Sequence, residues 1–316
     1  MMTQTRKSPA ATGLSRNNNQ PLHHNTSRPE FEFLQTMTAT LGKLDFVPIA
    51  DGTIRRFHVP DDKAGTLNGW YLLFANGIAS GCFGSWKAGS SHTWSSRKPA
   101  DPLEAQLIAQ RIEQARRQRE AERHQLQQQA AEKGNRLWRD ARRADPDHPY
   151  LIAKGCRPHA LRQLGDVLLV PLYHAGQLVN LQRIGPDGQK RFLYGGMMKG
   201  CYSPLGSIKD GQPWYACEGW ATGATIHEST GHPVACAMNA GNLLLVGLKL
   251  RHRYPEAVPI FAGDDDRQTE GNPGRTSAIK AAAALGCGLV LPQWPDDAPL
   301  ELSDFNDLRQ WMEGRQ

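Results

Sequence analysis

From Pro213 onward, short apolar runs alternate with longer helix-forming segments. PWYACEG predicts a strand ending at Glu218-Gly219, WATGATIHESTG a helix closed by Gly231, and PVACAMNAGN a strand ending near Asn239. LLLVGLKLRHRYP predicts a helix stopped before Pro255, and VPIFAGDDD a strand ending at Asp264. NPGRTSAIKAAAALG predicts a helix with Asn272 as cap, Pro273 at its start and Gly286 at its end, and GLVLP a last strand. This β-α-β-α-β-α-β order is that of a parallel sheet with crossover helices, expected over 209–316.

The preceding chain has other rhythms. Residues 1–28 are polar and are expected to form a disordered tail. Residues 29–98 predict a small β-rich domain: FVPIADGTIRRFHVP gives two short strands around Asp51-Gly52, and the glycine-punctuated run from Gly69 gives more. Trp70, Phe74, Phe83, Trp86 and Trp94 stand near Arg55, Arg56 and Lys87. That mixture suits base stacking and equally suits the core of a small domain. Residues 99–145, rich in Gln, Ala, Glu and Arg, predict a charged helical connector with Gly134 a candidate break. Residues 146–208 hold two strands around His174-Ala175-Gly176-Gln177 and then a glycine-containing basic segment.

Composition narrows the class. The 316 residues suffice for about two domains. Net charge is +6, from 37 basic and 31 acidic residues, a mild bias toward a polyanionic partner. Six cysteines stand without CxxC spacing, so zinc is not expected and a reduced, cytoplasmic protein is. The start lacks an apolar signal region, and no run approaches the roughly 20 apolar residues of a membrane span. No GxxxxGK[ST] phosphate loop is present.

Chemistry concentrates at strand ends. In open parallel sheets ligands bind beyond the carboxyl ends of the strands, where Glu218, Asn239 and Asp264 are expected. Asp264 and Asp266 alternate around Asp265, and Asp304 and Asp307 follow the last strand. A solvated turn before a helix is one account of three consecutive aspartates. Joined to Glu218, the cluster is better explained by a hard divalent cation, Mg²⁺ or Mn²⁺.

CEGWATG, FAGDDDR and NPGRTSAIKAA resemble the Toprim domain of bacterial-type primases. DVLLVPLYHAGQLVNLQRIGPDGQKRFLYGGMMKGCYSPLG resembles the basic subdomain that precedes Toprim in them, and the layout resembles primases of plasmids, phages and integrative elements. The resemblance implies an α/β Toprim fold preceded by a basic α+β subdomain. It assigns Glu218 to acid–base work or metal organisation, Asp264 and Asp266 to metal ligation, and Asp304 to the same site with Asp307 as its competitor. Nucleic-acid contacts would fall on Arg183, Lys190, Arg191 and Lys199. The implied activity is RNA primer synthesis from ribonucleoside triphosphates on a single-stranded DNA template, with a separate helicase as partner. A Toprim nuclease and a non-catalytic single-strand binder or loader are the alternatives. The zinc finger usual in replicative primases has no counterpart here, and no helicase motor is expected after Leu308.

Overall fold

A computed structural model describes residues 28–60 and 62–315. The polar tail expected at 1–28 therefore lies, apart from Arg28, outside the described residues. The chain divides into two compact units between Arg119 and Glu120, within one long helix.

The first unit opens with a helix, α1 (Pro29–Leu41), ahead of the strands expected of a β-rich domain. Pro29 starts it, and Phe33 and Met37, four residues apart, share one buried face. Four antiparallel strands follow in the order β1 (Arg55–Phe57), β2 (Gly69–Phe74), β3 (Ser80–Ser85) and β4 (His92–Ser95). The run Phe46–Ile49 is not the strand that was expected. Phe46 stacks on Tyr71 with ring centroids 5.6 Å apart, and the Ile49 N–H donates to the Tyr71 hydroxyl at 3.1 Å. Phe46 thus packs half-buried against the core, while Val47 and Ile49 stay exposed and the run does not join the ladder.

Alternation along β2 explains the core of this unit. Tyr71 and Leu73 meet Phe33 and Met37, while Trp70 and Leu72 meet Ala115 of α2 (Pro102–Asp140). The aromatic and basic residues of this unit are largely consumed by its own packing. Trp70 and Phe83 are buried, Lys87 pairs with Asp62 at 2.6 Å, and Arg55 pairs with Asp51 at 2.6 Å.

In the second unit α2 continues through Gly134 without the break considered above. A Cβ at Gly134 would come to 3.3 Å from Leu193 and 3.7 Å from Leu181, so glycine lets the helix lie close on the sheet beneath it. That sheet is antiparallel, ordered β5 (Arg142–Arg143), β6 (Arg162–Leu164), β7 (Val167–His174), β8 (Gln177–Ile184) and β9 (Lys190–Phe192). Ala175 and Gly176, with φ of 49° and 82°, make the tight turn between β7 and β8. A short helix, α3 (Pro149–Lys154), lies between β5 and β6.

The second sheet of this unit runs β10 (Ser203–Leu205), β12 (Val234–Cys236), β11 (Pro213–Cys217), β13 (Val258–Ala262), β14 (Gly288–Val290). β11 to β14 are parallel, as read. β10, from the segment assigned to the basic subdomain, adds an antiparallel edge, so the sheet is mixed. α4 (Trp220–Thr230) packs on one face; α5 (Leu243–Arg253) and α6 (Pro273–Leu285) pack on the other. α7 (Phe305–Glu313) lies against α4. The β7–β8 sheet offers Leu168, Val170 and Ile184 to the same core as α4, and Leu169 and Leu181 to the end of α2. No helix among the described residues is long and apolar enough to cross a membrane.

Close helix–sheet contact depends on small residues. A Cβ at Gly223 in α4 would stand 2.3 Å from Cys236 Sγ and 3.1 Å from Cys217 Sγ. Gly223→Ala is expected to destabilise the second unit by about 1–3 kcal/mol, read by chemical denaturation.

Candidate active site

The chain order reverses about β11. From β11 the chain crosses to β12 on one side, then returns past β11 to β13 on the other. Such a switch point opens a crevice at the carboxyl ends of the strands. Glu218 directly follows β11 and Asp264 follows β13, its hydrogen-bonded neighbour. Two carboxylates 46 positions apart in sequence thereby become neighbours at one sheet edge.

The loop after β13 sorts the three aspartates. Asp265 accepts from Asn272 Nδ2 at 2.7 Å and lies 3.7 Å from Arg275. Asp266 accepts from the Gly274 N–H at 3.2 Å, while its own N–H donates to Asn272 Oδ1 at 2.9 Å. Gly274, in the first turn of α6, is the meeting point. A Cβ there would lie 2.9 Å from Glu218 Oε1 and 3.0 Å from both the Cβ and the carbonyl oxygen of Asp264. Only a residue without a side chain leaves room for the three acids to face one another.

Asp304 caps α7, accepting from the Asp307 N–H at 2.9 Å, and accepts from Thr222 Oγ1 at 2.9 Å. Asp307 turns back to the Ser303 N–H at 3.1 Å and to Lys154 at 3.4 Å. Of these two, Asp304 acts on both Glu218 and Asp264 electrostatically, whereas Asp307 reaches Asp264 more weakly.

Burial and mutual repulsion raise the proton affinity of the central pair. Burial, then the charges of Asp266 and Asp304, push Glu218 up to about 7, against a backbone hydrogen bond from Ala240. Burial, then Glu218, Asp304 and Asp266, push Asp264 up to about 8. Glu218 Oε1 and Asp264 Oδ1 are buried without a hydrogen-bond partner. Among the described residues, no three His, Cys, Asp or Glu side chains stand in a ready-made metal cage. Unpaired buried oxygens on mutually repelling carboxylates are nevertheless the donor set that suits a hard divalent cation.

The four basic residues assigned to nucleic acid do not form one patch. Lys190 pairs in register with Ile184, so it shares the face that joins the α4 core. Its ammonium lies 5.5 Å from the Tyr150 ring and within reach of the charges of Asp304, Asp264 and Asp307; crowding and nearby Lys154 lower its pKa. Arg183 and Arg191 pair with each other on the opposite face of that sheet. Lys199 sits on a loop held by Asn242, which accepts from the Gly200 N–H at 2.7 Å and donates to the carbonyls of Met198, Cys201 and Ala237. Sequence reasoning passed over Lys154, Thr222 and Gly274. For Gly274 a signal existed, a glycine in the first turn of a helix where it costs stability.

Residues 214–315 match the Toprim domain family. The chain carries a Toprim domain. It is similar over most of its length to two Escherichia coli proteins, each named DNA primase TraC. One is 34% identical over 274 residues, covering 83% of this chain and 19% of that protein. The other is 33% identical over 290 residues, covering 84% of this chain and 26% of that protein. The chain thus spans about a fifth to a quarter of the length of these curated relatives. A solved structure of bacteriophage T7 lagging-strand DNA polymerase with primase domains bound to an RNA/DNA hybrid aligns with a TM-score of 0.39 at 16% identity. That alignment covers 52% of this chain and 86% of the other, a likeness too slight to bear on fold or function.

Two outcomes test the Toprim site. Asp264 and Glu218 hold protons in the fold that the unfolded chain has already released, so their stabilisation is full below the ordinary carboxylate range and is lost as pH rises through about 7 to 8. Metal-free Asp264→Asn is expected to melt with the wild type at about pH 5 and above it at about pH 9, by roughly 2–4 °C for each kcal/mol of repulsion relieved. Mg²⁺ or Mn²⁺ is expected to raise the melting temperature of the wild type but not that of Gly274→Ala, whose circular dichroism spectrum is expected to stay intact.

Proposed function

We propose that the chain is a DNA primase that synthesises short RNA primers on single-stranded DNA by metal-dependent nucleotidyl transfer, in plasmid or mobile-element replication. The observation that carries this reading is the meeting of Glu218, Asp264 and Asp266 around Gly274 at the switch point of the Toprim sheet. Similarity to the two DNA primases named TraC supports it.

In the proposed reaction the 3′-hydroxyl of the primer attacks the α-phosphate of an incoming ribonucleotide, and pyrophosphate leaves. Glu218, with a proton affinity near neutrality, is suited to accept the hydroxyl proton. Lys190 and Lys154 supply positive charge beside the carboxylates, where the triphosphate would lie. Asp264, Asp266 and Glu218, with Asp304 beside them, would hold Mg²⁺ or Mn²⁺, which when bound supplies charge neutralisation and Lewis-acid stabilisation of phosphoryl oxygens. Thr222 and the cap of α7 fix Asp304 in place. Lys199, Arg183 and Arg191 serve as template contacts in this reading, and a separate cytoplasmic helicase would expose the template.

The test is incubation of the protein with single-stranded DNA, labelled ribonucleotides and Mg²⁺ or Mn²⁺, beside Glu218→Gln and Asp264→Asn. Short oligoribonucleotides from the wild type are expected, with losses of at least about 100-fold in each variant. Cleaved DNA without synthesis would identify a nuclease instead, and tight binding without either product a binder or loader.

A further inference from the structure

A cavity of about 320 Å³ opens elsewhere in the second unit, lined by Trp138, Tyr173, Tyr202 and Tyr254 with Pro204 and Arg253. It lies at the other edge of the Toprim sheet from the carboxylates. Val234, in its lining, begins β12, and Tyr254 precedes β13. Glu218 and Asp264 follow the opposite ends of β11 and β13. The length of a five-residue strand, roughly 15 Å, separates the two edges.

Its construction is specific. Tyr173 and Tyr202 form a mutual backbone bridge, each N–H donating to the other's carbonyl, at 2.8 and 3.1 Å. The bridge ties β7 to the chain entering β10 and sets the two phenol rings side by side on one face. Trp138 comes from the end of α2, and Tyr254 caps α5. All four rings are half-buried. Among the described residues no two of the four are in ring contact, and the three tyrosine hydroxyls have no hydrogen-bond partner. Arg162, outside the lining, donates to the Trp138 carbonyl at 2.5 Å and lies 4.9 Å from its ring, and Arg253 lies 5.4 Å from the Tyr254 ring. Neither arginine pairs with a carboxylate among the described residues.

Four separated rings leave slots for a flat aromatic guest, and the Arg253 guanidinium in the lining, with no carboxylate partner among the described residues, calls for an anion. A purely apolar guest leaves Arg253 unanswered, and a simple anion leaves the rings unused. We propose that this cavity holds an unpaired base of single-stranded DNA, stacked among Trp138, Tyr173, Tyr202 and Tyr254, with a flanking phosphate on Arg253. The cavity is a strand-holding site remote from the chemistry. Its volume is at the lower end of small-ligand pockets, roughly 300–1,000 Å³, and suits one nucleotide at a time. The choice of a DNA strand over a free nucleotide rests on the primase reading; the stacking chemistry does not.

The test is fluorescence anisotropy of a labelled oligothymidylate on the full chain, in chelator, over a range of salt. Tyr254→Leu is expected to weaken binding roughly 5- to 100-fold, as loss of a stacked base does. Tyr254→Phe should retain affinity, and Arg253→Gln should lower the salt slope by about one. In chelator no synthesis takes place, so this readout stands apart from catalysis. Loss of primer synthesis as an activity of the wild type, with the Tyr254→Leu effect intact, would sink the primase reading alone. Unchanged affinity in Tyr254→Leu, or no oligonucleotide binding by the wild type, would overturn the cavity proposal. Thymidine monophosphate binding as tightly as the oligonucleotide, and losing affinity in Tyr254→Leu, would overturn the assignment to a strand.

Discussion

Repulsion among Glu218, Asp264, Asp266 and Asp304 is the constraint around which the Toprim unit is built. Carboxylates drawn together and away from water resist ionisation, and Asp264 and Glu218 show it in their raised proton affinity. Such an arrangement persists only where surrounding packing holds each acid in place. Here β11 and β13 are paired in register, α4 and α6 clamp the sheet from its two faces, and Asp304 is fixed at both oxygens. The loop after β13 is closed by Asn272, which binds Asp265 and Asp266 and caps α6.

The glycines that matter follow from the same constraint. Gly274 leaves space where Glu218 and Asp264 approach, and Gly223 lets α4 settle onto β11 and β12. Both lie inside helices, where glycine is otherwise unfavourable. The stability given up locally is offset by the large buried faces on either side of the sheet.

The antiparallel sheet beside the Toprim core divides its charges between two faces. One face carries Lys190 toward the carboxylates, and the other carries Arg183 and Arg191 side by side. Two arginines directly opposite each other are unfavourable without an anion between them or solvent around them. Basic residues that stand close in sequence therefore serve different surfaces, which a period of two residues decides.

Much of the Toprim unit was legible in the sequence because its signals are local. Alternating apolar runs, the cap at Asn272 and the stops at Gly231 and Gly286 mark strands and helices within a few residues. Strand order alone then put Glu218 and Asp264 at one edge. The first unit was less legible: α1 has only two fully buried side chains to announce it, and Phe46–Ile49 has strand-like composition yet joins no strand, with Phe46 packed on Tyr71 and Val47 and Ile49 exposed. Which acid of the aspartate run turns away, how β10 joins the sheet and where Lys154 reaches depend on contacts between segments distant in sequence. The parallel αβ repeat and the acids that end its strands could be read from the chain alone, since both rest on periodicity and local caps. How those acids are paired, spaced and charged follows from the folded arrangement, because burial and repulsion act across space between residues that the chain keeps far apart.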